Sequence, residues 1–134
     1  MIDHHTALIY TMVLVSAADE DMTDAELRKM GEIISSLPVF KDYDRENLTK
    51  TARDCAELLA NEDGLEKSLD LIEAALPERL RETAYVLACD VAAADGHVSQ
   101  EELRLLQMIC DRLEVDRLAA AAIERAARAR HATI

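Results

Sequence analysis

Ala93-Ala94-Asp95-Gly96-His97-Val98-Ser99-Gln100-Glu101-Glu102-Leu103 lies between two segments whose apolar residues recur at helical spacing. It has an earlier counterpart, Ala17-Ala18-Asp19-Glu20-Asp21-Met22-Thr23-Asp24-Ala25-Glu26-Leu27, at a constant offset of 76 residues. The register extends beyond the turn: Val15 aligns with Val91, Arg28 with Arg104, Ile33 with Ile109 and Leu37 with Leu113. Between residues 15–37 and 91–113, nine of 23 positions are identical. A helix–acidic turn–helix unit used twice is therefore the expected skeleton of the chain.

Residue chemistry says what each turn does locally. Thr23 and Ser99 suit the N-cap, where a side-chain oxygen accepts from a backbone N–H that has no partner within the helix. Glu26 and Glu102 stand three residues on, where a carboxylate can reach back to the cap's own N–H and close a capping box. Met22 with Leu27, and Val98 with Leu103, have the spacing of a hydrophobic staple. Gly96 suits a left-handed stop for the preceding helix; Glu20 occupies that position in the first copy, at a cost of about 1 kcal/mol if the backbone is the same.

Beside this capping role stands a ligand role. Asp19, Asp21 and Glu26 in one turn, and Asp95, His97, Glu101 and Glu102 in the other, offer the hard oxygens that Ca²⁺ or Mg²⁺ prefers. His97 adds a donor that suits Zn²⁺ or Mn²⁺. Neither turn is an EF-hand. Counted from Asp19 or Asp95, the bidentate acid at loop position 12 would be Met30 or Leu106, and the glycine at position 6 would be Asp24 or Gln100. A single turn is under-coordinated, so a site needs water, backbone carbonyls or a second segment.

The pattern A-A-D-G-x-[IV]-S-x-E-E-L, complete at Ala93–Leu103 and degenerate at Ala17–Leu27, resembles the TerB-like tellurite-resistance family. The same domain type is similar to the N-terminal region of certain membrane-anchored DnaJ-like co-chaperones. This resemblance implies an all-α domain of about seven helices, a metal-binding role for the acidic turns, and an association with tellurite or other stress resistance. Carried over by position, it points to Asp95, Glu101 and Glu102, and then to Asp19 and Glu26. The sequence departs from the family pattern at Glu20, where Gly is usual.

Composition sets further bounds. The chain has 134 residues, a length suited to one domain spanning 1–134 that needs no disulfide staple. Its aromatic residues are Tyr10, Phe40, Tyr43 and Tyr85, so the core must be aliphatic, which suits helix-on-helix packing. Cys55, Cys89 and Cys110 lie in apolar-periodic segments without CxxC spacing and read as small buried hydrophobes in a reduced, cytoplasmic protein. The longest apolar run, Thr6 to Ala18, is too short for a membrane span, and no signal peptide is recognisable.

Fifteen Lys and Arg against 27 Asp and Glu leave a net charge of −12. That argues against nucleic acid, whose phosphates demand basic patches, disfavours anionic lipid, and favours cations or basic protein surfaces. The expected partners are proteins, a second copy of the chain included. No phosphate loop, nucleophile elbow, HExxH or other catalytic constellation appears, so enzymatic activity is not expected. Two functions remain: a divalent-cation-binding accessory module, using Ca²⁺, Mg²⁺ or Zn²⁺, and a metal-independent scaffold that docks a basic partner.

Along the chain, His4 to Ala18 carries no Lys, Arg, Asp or Glu and reads as a central helix, with His4 and His5 exposed at its start. Pro38 ends the second helix. Phe40 and Tyr43 pack under a short connector, and Asp42 or Asp44 caps the third helix. Asp63 with Glu66 repeats the capping-box spacing, and Pro77 suits a first helical position. Asp90 falls where Leu14 stands in the first copy and reads as a structural hydrogen bond or salt bridge, with a functional role at the turn as the alternative. Asp116 caps an Ala-rich last helix, with Leu118, Ala122, Ile123 and Ala126 expected inward and Arg125, Arg128, Arg130 and His131 clustered near its end.

Overall fold

A computed structural model describes residues 1–18, 22–94 and 96–134. The acidic residues Asp19, Glu20, Asp21 and Asp95 lie outside that set. The described chain is all-helical, without a strand. Its helices are α1 (His4–Ser16), α2 (Asp24–Ser35), α3 (Leu48–Leu59), α4 (Gly64–Ala75), α5 (Glu78–Ala93), α6 (Gln100–Arg112) and α7 (Arg117–Arg130). Two 3-10 turns, Pro38–Phe40 and Arg45–Asn47, carry the connection from α2 to α3.

Helix α1 is the axis of the bundle. Residues 7–16 are all buried, as an uncharged helix requires. It packs most extensively on α5, and α3, α4 and α6 also cover it. Around it the short stripes close as their spacing predicts: Met30 and Ile34 on α2, Leu48, Ala52 and Cys55 on α3, Leu69 and Ile72 on α4, Leu106 and Ile109 on α6.

Both turns are capped as their residues dictate. The Thr23 Oγ1 accepts from the Glu26 N–H at 3.2 Å, and the Glu26 carboxylate accepts from the Thr23 N–H at 3.0 Å. At α6 the Ser99 Oγ accepts from the Glu102 N–H at 3.1 Å, and Glu102 accepts from the Ser99 N–H at 2.9 Å. Gly96 has φ 79°, in the left-handed region that favours glycine. Asp116 caps α7 by accepting from the N–H groups of Leu118 and Ala119, each at 3.2 Å. Asp44 caps the 3-10 turn ahead of α3.

Several expectations are corrected. His5 is buried, not exposed: its Nε2 donates to the Val39 carbonyl at 2.7 Å, and its ring stacks on Phe40. It therefore ties the α2–α3 connector to the start of α1. Asp63 makes no cap; its carboxylate pairs with Lys67 at 3.3 Å, one turn along α4. Pro77 is the N-cap of α5 rather than its first residue, because its ψ of 157° is extended. Cys55 and Cys89 are buried, but Cys110 is only half-buried.

Helix α7 is rotated from its expected phase. Ala120 and Ala127 are buried and Ile123 is half-buried, while Ala122 and Ala126 face solvent and Leu118 is 80% exposed. Polar anchors to α5 set this rotation. The Tyr85 hydroxyl donates to Glu124 at 2.5 Å, and Arg130 donates to the buried Asp90, with His131 Nε2 at 3.5 Å from the same oxygen. Asp90 is thus half of a structural ion pair, and the basic end of α7 supplies the other half.

Candidate functional site

The site is built from the first turn of α2, the first turn of α6 and the ends of α1 and α5. Closing each capping box turns the glutamate side chain back toward the preceding helix. Because α1 packs on α5, the two carboxylates are carried to one place. Glu26 and Glu102 line a single small cavity with Ser16, Lys29, Met30, Ile33, Val91 and Ala94. Its volume is about 50 Å³. A water takes about 30 Å³ in the liquid, so that is room for roughly one or two waters or a single ion.

Hydrogen bonding leaves the two acids unequal. Glu26 is half-buried and accepts from Thr23 N–H on one oxygen and from Ser16 Oγ, at 2.7 Å, on the other. Glu102 is 9% exposed and holds Ser99 N–H. The Thr23 hydroxyl also lies 3.1 Å from the capped oxygen of Glu26, so that oxygen is held twice. The other charged residue on the lining is Lys29, which is exposed.

The remaining candidates divide. Glu101 is exposed and lines a separate groove, one helical position away from Glu102. His97 is exposed in the turn ahead of Ser99. Asp19, Asp21 and Asp95 lie outside the described residues. Among the described residues, no three His, Cys, Asp or Glu side chains gather closely enough to hold a metal ion. What the described part supplies is two carboxylates and a hydroxyl, an all-oxygen donor set of the kind hard cations take.

Spacing arguments alone missed Ser16 and Lys29. Ser16 is the last residue of α1 and a polar residue at the end of an apolar run, which was the available signal. Lys29 sits three residues after Glu26 on the same helical face.

An all-helical bundle in which the capping-box glutamates of α2 and α6 line one cavity defines the class. The chain belongs to the TerB family: the model for tellurite resistance protein TerB matches residues 5–126, nearly the whole length. Comparison with curated proteins and with solved structures gave no match. No helix among the described residues is long and apolar enough to cross a membrane.

Proposed function

We propose that this TerB-family chain is a tellurite- or stress-resistance accessory whose working part is a divalent-cation site shared by its two acidic turns. The observation that carries this is the convergence of Glu26 and Glu102, 76 residues apart, on one cavity that also receives the Ser16 hydroxyl. The adjoining turn residues Asp19, Asp21 and Asp95, with His97, are the further ligand candidates by sequence. A cation there neutralises carboxylates that otherwise repel one another, and it bridges α2 to α6 across the α1–α5 pair. Ca²⁺ and Mg²⁺ suit the oxygen donors best; Zn²⁺ requires His97.

Thermal unfolding with Ca²⁺, Mg²⁺, Zn²⁺ or EDTA tests this. A ligand at 100 times its Kd adds about 2.7 kcal/mol, roughly a 10 °C rise in Tm for a domain of this size. The informative variants are Glu26→Gln and Glu102→Gln. Glutamine still closes a capping box, so the helix starts survive while the anionic ligand is lost. Retention of the metal-dependent rise in both variants would remove these residues from the site, and absence of any rise in the unaltered protein at millimolar metal would leave them a capping role alone.

A further inference from the structure

Helix α7 follows the α5–α6 hairpin as α3 follows α1–α2, yet the two helices are held by different means. Helix α3 packs on α1 and α4 and touches α2. It buries Leu48, Ala52 and Cys55 and lays Leu58 and Leu59 against the core. Helix α7 packs extensively on α5 alone among the described helices. Its buried residues are two alanines, Ala120 and Ala127, which have little apolar surface to contribute, helped by the half-buried Ala119 and Ile123. The other ties are polar: Tyr85 to Glu124 and Asp90 to Arg130.

Charge divides at the same boundary. Residues 117–134 hold four Arg against one Glu, whereas residues 1–116 hold 11 Lys and Arg against 26 Asp and Glu. A cationic helix therefore lies on an anionic body, and salt screens the attraction between its partly exposed groups and that body. The hinge is equally defined. Leu113 and Val115 are buried, and the Val115 N–H donates to the Cys110 carbonyl at 3.1 Å, so the chain is pinned to α6 as far as Val115. The next residue, Asp116, is the exposed cap of α7. We propose that α7 is a detachable strap: it swings off α5 as a unit about Asp116, uncovering Tyr85 and Asp90 while α1 to α6 stay folded, and ionic strength sets how often it does so. Local opening falls to the element with the fewest buried apolar contacts, and the open form is a minor population of the folded protein. Salt gives the device a direction. Screening loosens the hold of the body on α7, yet it relieves repulsion within the acidic body and so tightens the rest. The strap is separate from the cation site, since no residue of α7 lines that cavity.

Hydrogen–deuterium exchange of the full chain tests this, by comparing the amides of α7 with those of α3 in about 0.05 M and about 0.5 M NaCl at fixed pH. EDTA is present throughout, so failure here and failure of the cation site are read separately. The α7 amides are expected to exchange at least about tenfold faster than those of α3. The rise in salt is expected to speed α7 severalfold and to leave α3 unchanged or slower. Tyr85→Phe and Glu124→Ala each remove one polar tie, and each is expected to speed α7 exchange about tenfold with α3 unaffected. Glu124 is exposed, so its variant keeps the core intact even where Tyr85→Phe does not. Leu118→Ala, at a side chain turned to solvent, is expected to change neither helix. Equal protection of α7 and α3 would mean that α7 unfolds only with the whole domain, and would overturn the proposal. So would a salt response of the same sign and size in both helices, or variants that speed both alike.

Discussion

The clasp between α5 and α7 makes an asymmetric prediction about stability. The Asp90 side chain is 13% exposed and that of Arg130 is 50% exposed. Removing Arg130 leaves a carboxylate nearly out of water, with the His131 ring, 3.5 Å away, as its remaining neighbour. An uncompensated buried charge costs about 3–5 kcal/mol in full burial, which partial access and His131 reduce to about 1–3 kcal/mol for Arg130→Ala. Removing Asp90 instead frees a guanidinium that is already half in water and rehydrates readily. Asp90→Leu, which places the residue of the first copy at this position, removes the desolvated charge altogether and should cost below about 1 kcal/mol. Urea unfolding at neutral pH followed by circular dichroism separates the two, through Cm at unchanged m. A larger loss for Asp90→Leu than for Arg130→Ala would refute the reasoning, because the ion pair would then be contributing more than its desolvation costs.

Local geometry sets three further outcomes. Asp3 accepts from the Thr6 N–H at 2.8 Å, and this hydrogen bond holds its carboxyl below the ordinary value. Asp3→Ala should cost about 1 kcal/mol at neutral pH. Since the folded value is the lower one, that contribution is present above the ordinary carboxylate range and is lost as pH falls through the folded value, so the two proteins should converge in acid. A Cβ on Gly64 would lie 2.0 Å from the Leu58 carbonyl oxygen, whereas one on Gly96 meets nothing within 4 Å and suffers only from φ 79°. Gly64→Ala should therefore lower Tm well beyond the effect of Gly96→Ala, which is worth about 1 kcal/mol. Burial pushes the thiols of Cys55 and Cys89 up to about 12. At pH 8 a thiol reagent should modify them only at the rate of unfolding, with the half-buried Cys110 reacting first.

Features encoded within a few residues were legible in the sequence. The uncharged run that becomes α1, the two capping boxes, the left-handed Gly96 and the Asp116 cap all depend on neighbours in the chain. Features that depend on contacts between distant helices were not. Helix α7 could not be phased because alanine gives too little contrast between faces, and its rotation is set by Tyr85 and Asp90 on α5. His5 looked exposed beside His4, since its acceptor, the Val39 carbonyl, comes 34 residues later. The acidic residues of the turns could be named from the repeat. That Glu26 and Glu102 share a cavity while Glu101 turns to a different groove required the packing of α1 on α5.

Counting bound Ca²⁺ by equilibrium dialysis addresses the shared site most directly. If the two turns serve one ion between them, the unaltered chain binds a single ion, and Glu26→Gln and Glu102→Gln each abolish that binding despite lying 76 positions apart. Two ions per chain, each surviving the variant in the opposite turn, would contradict the account.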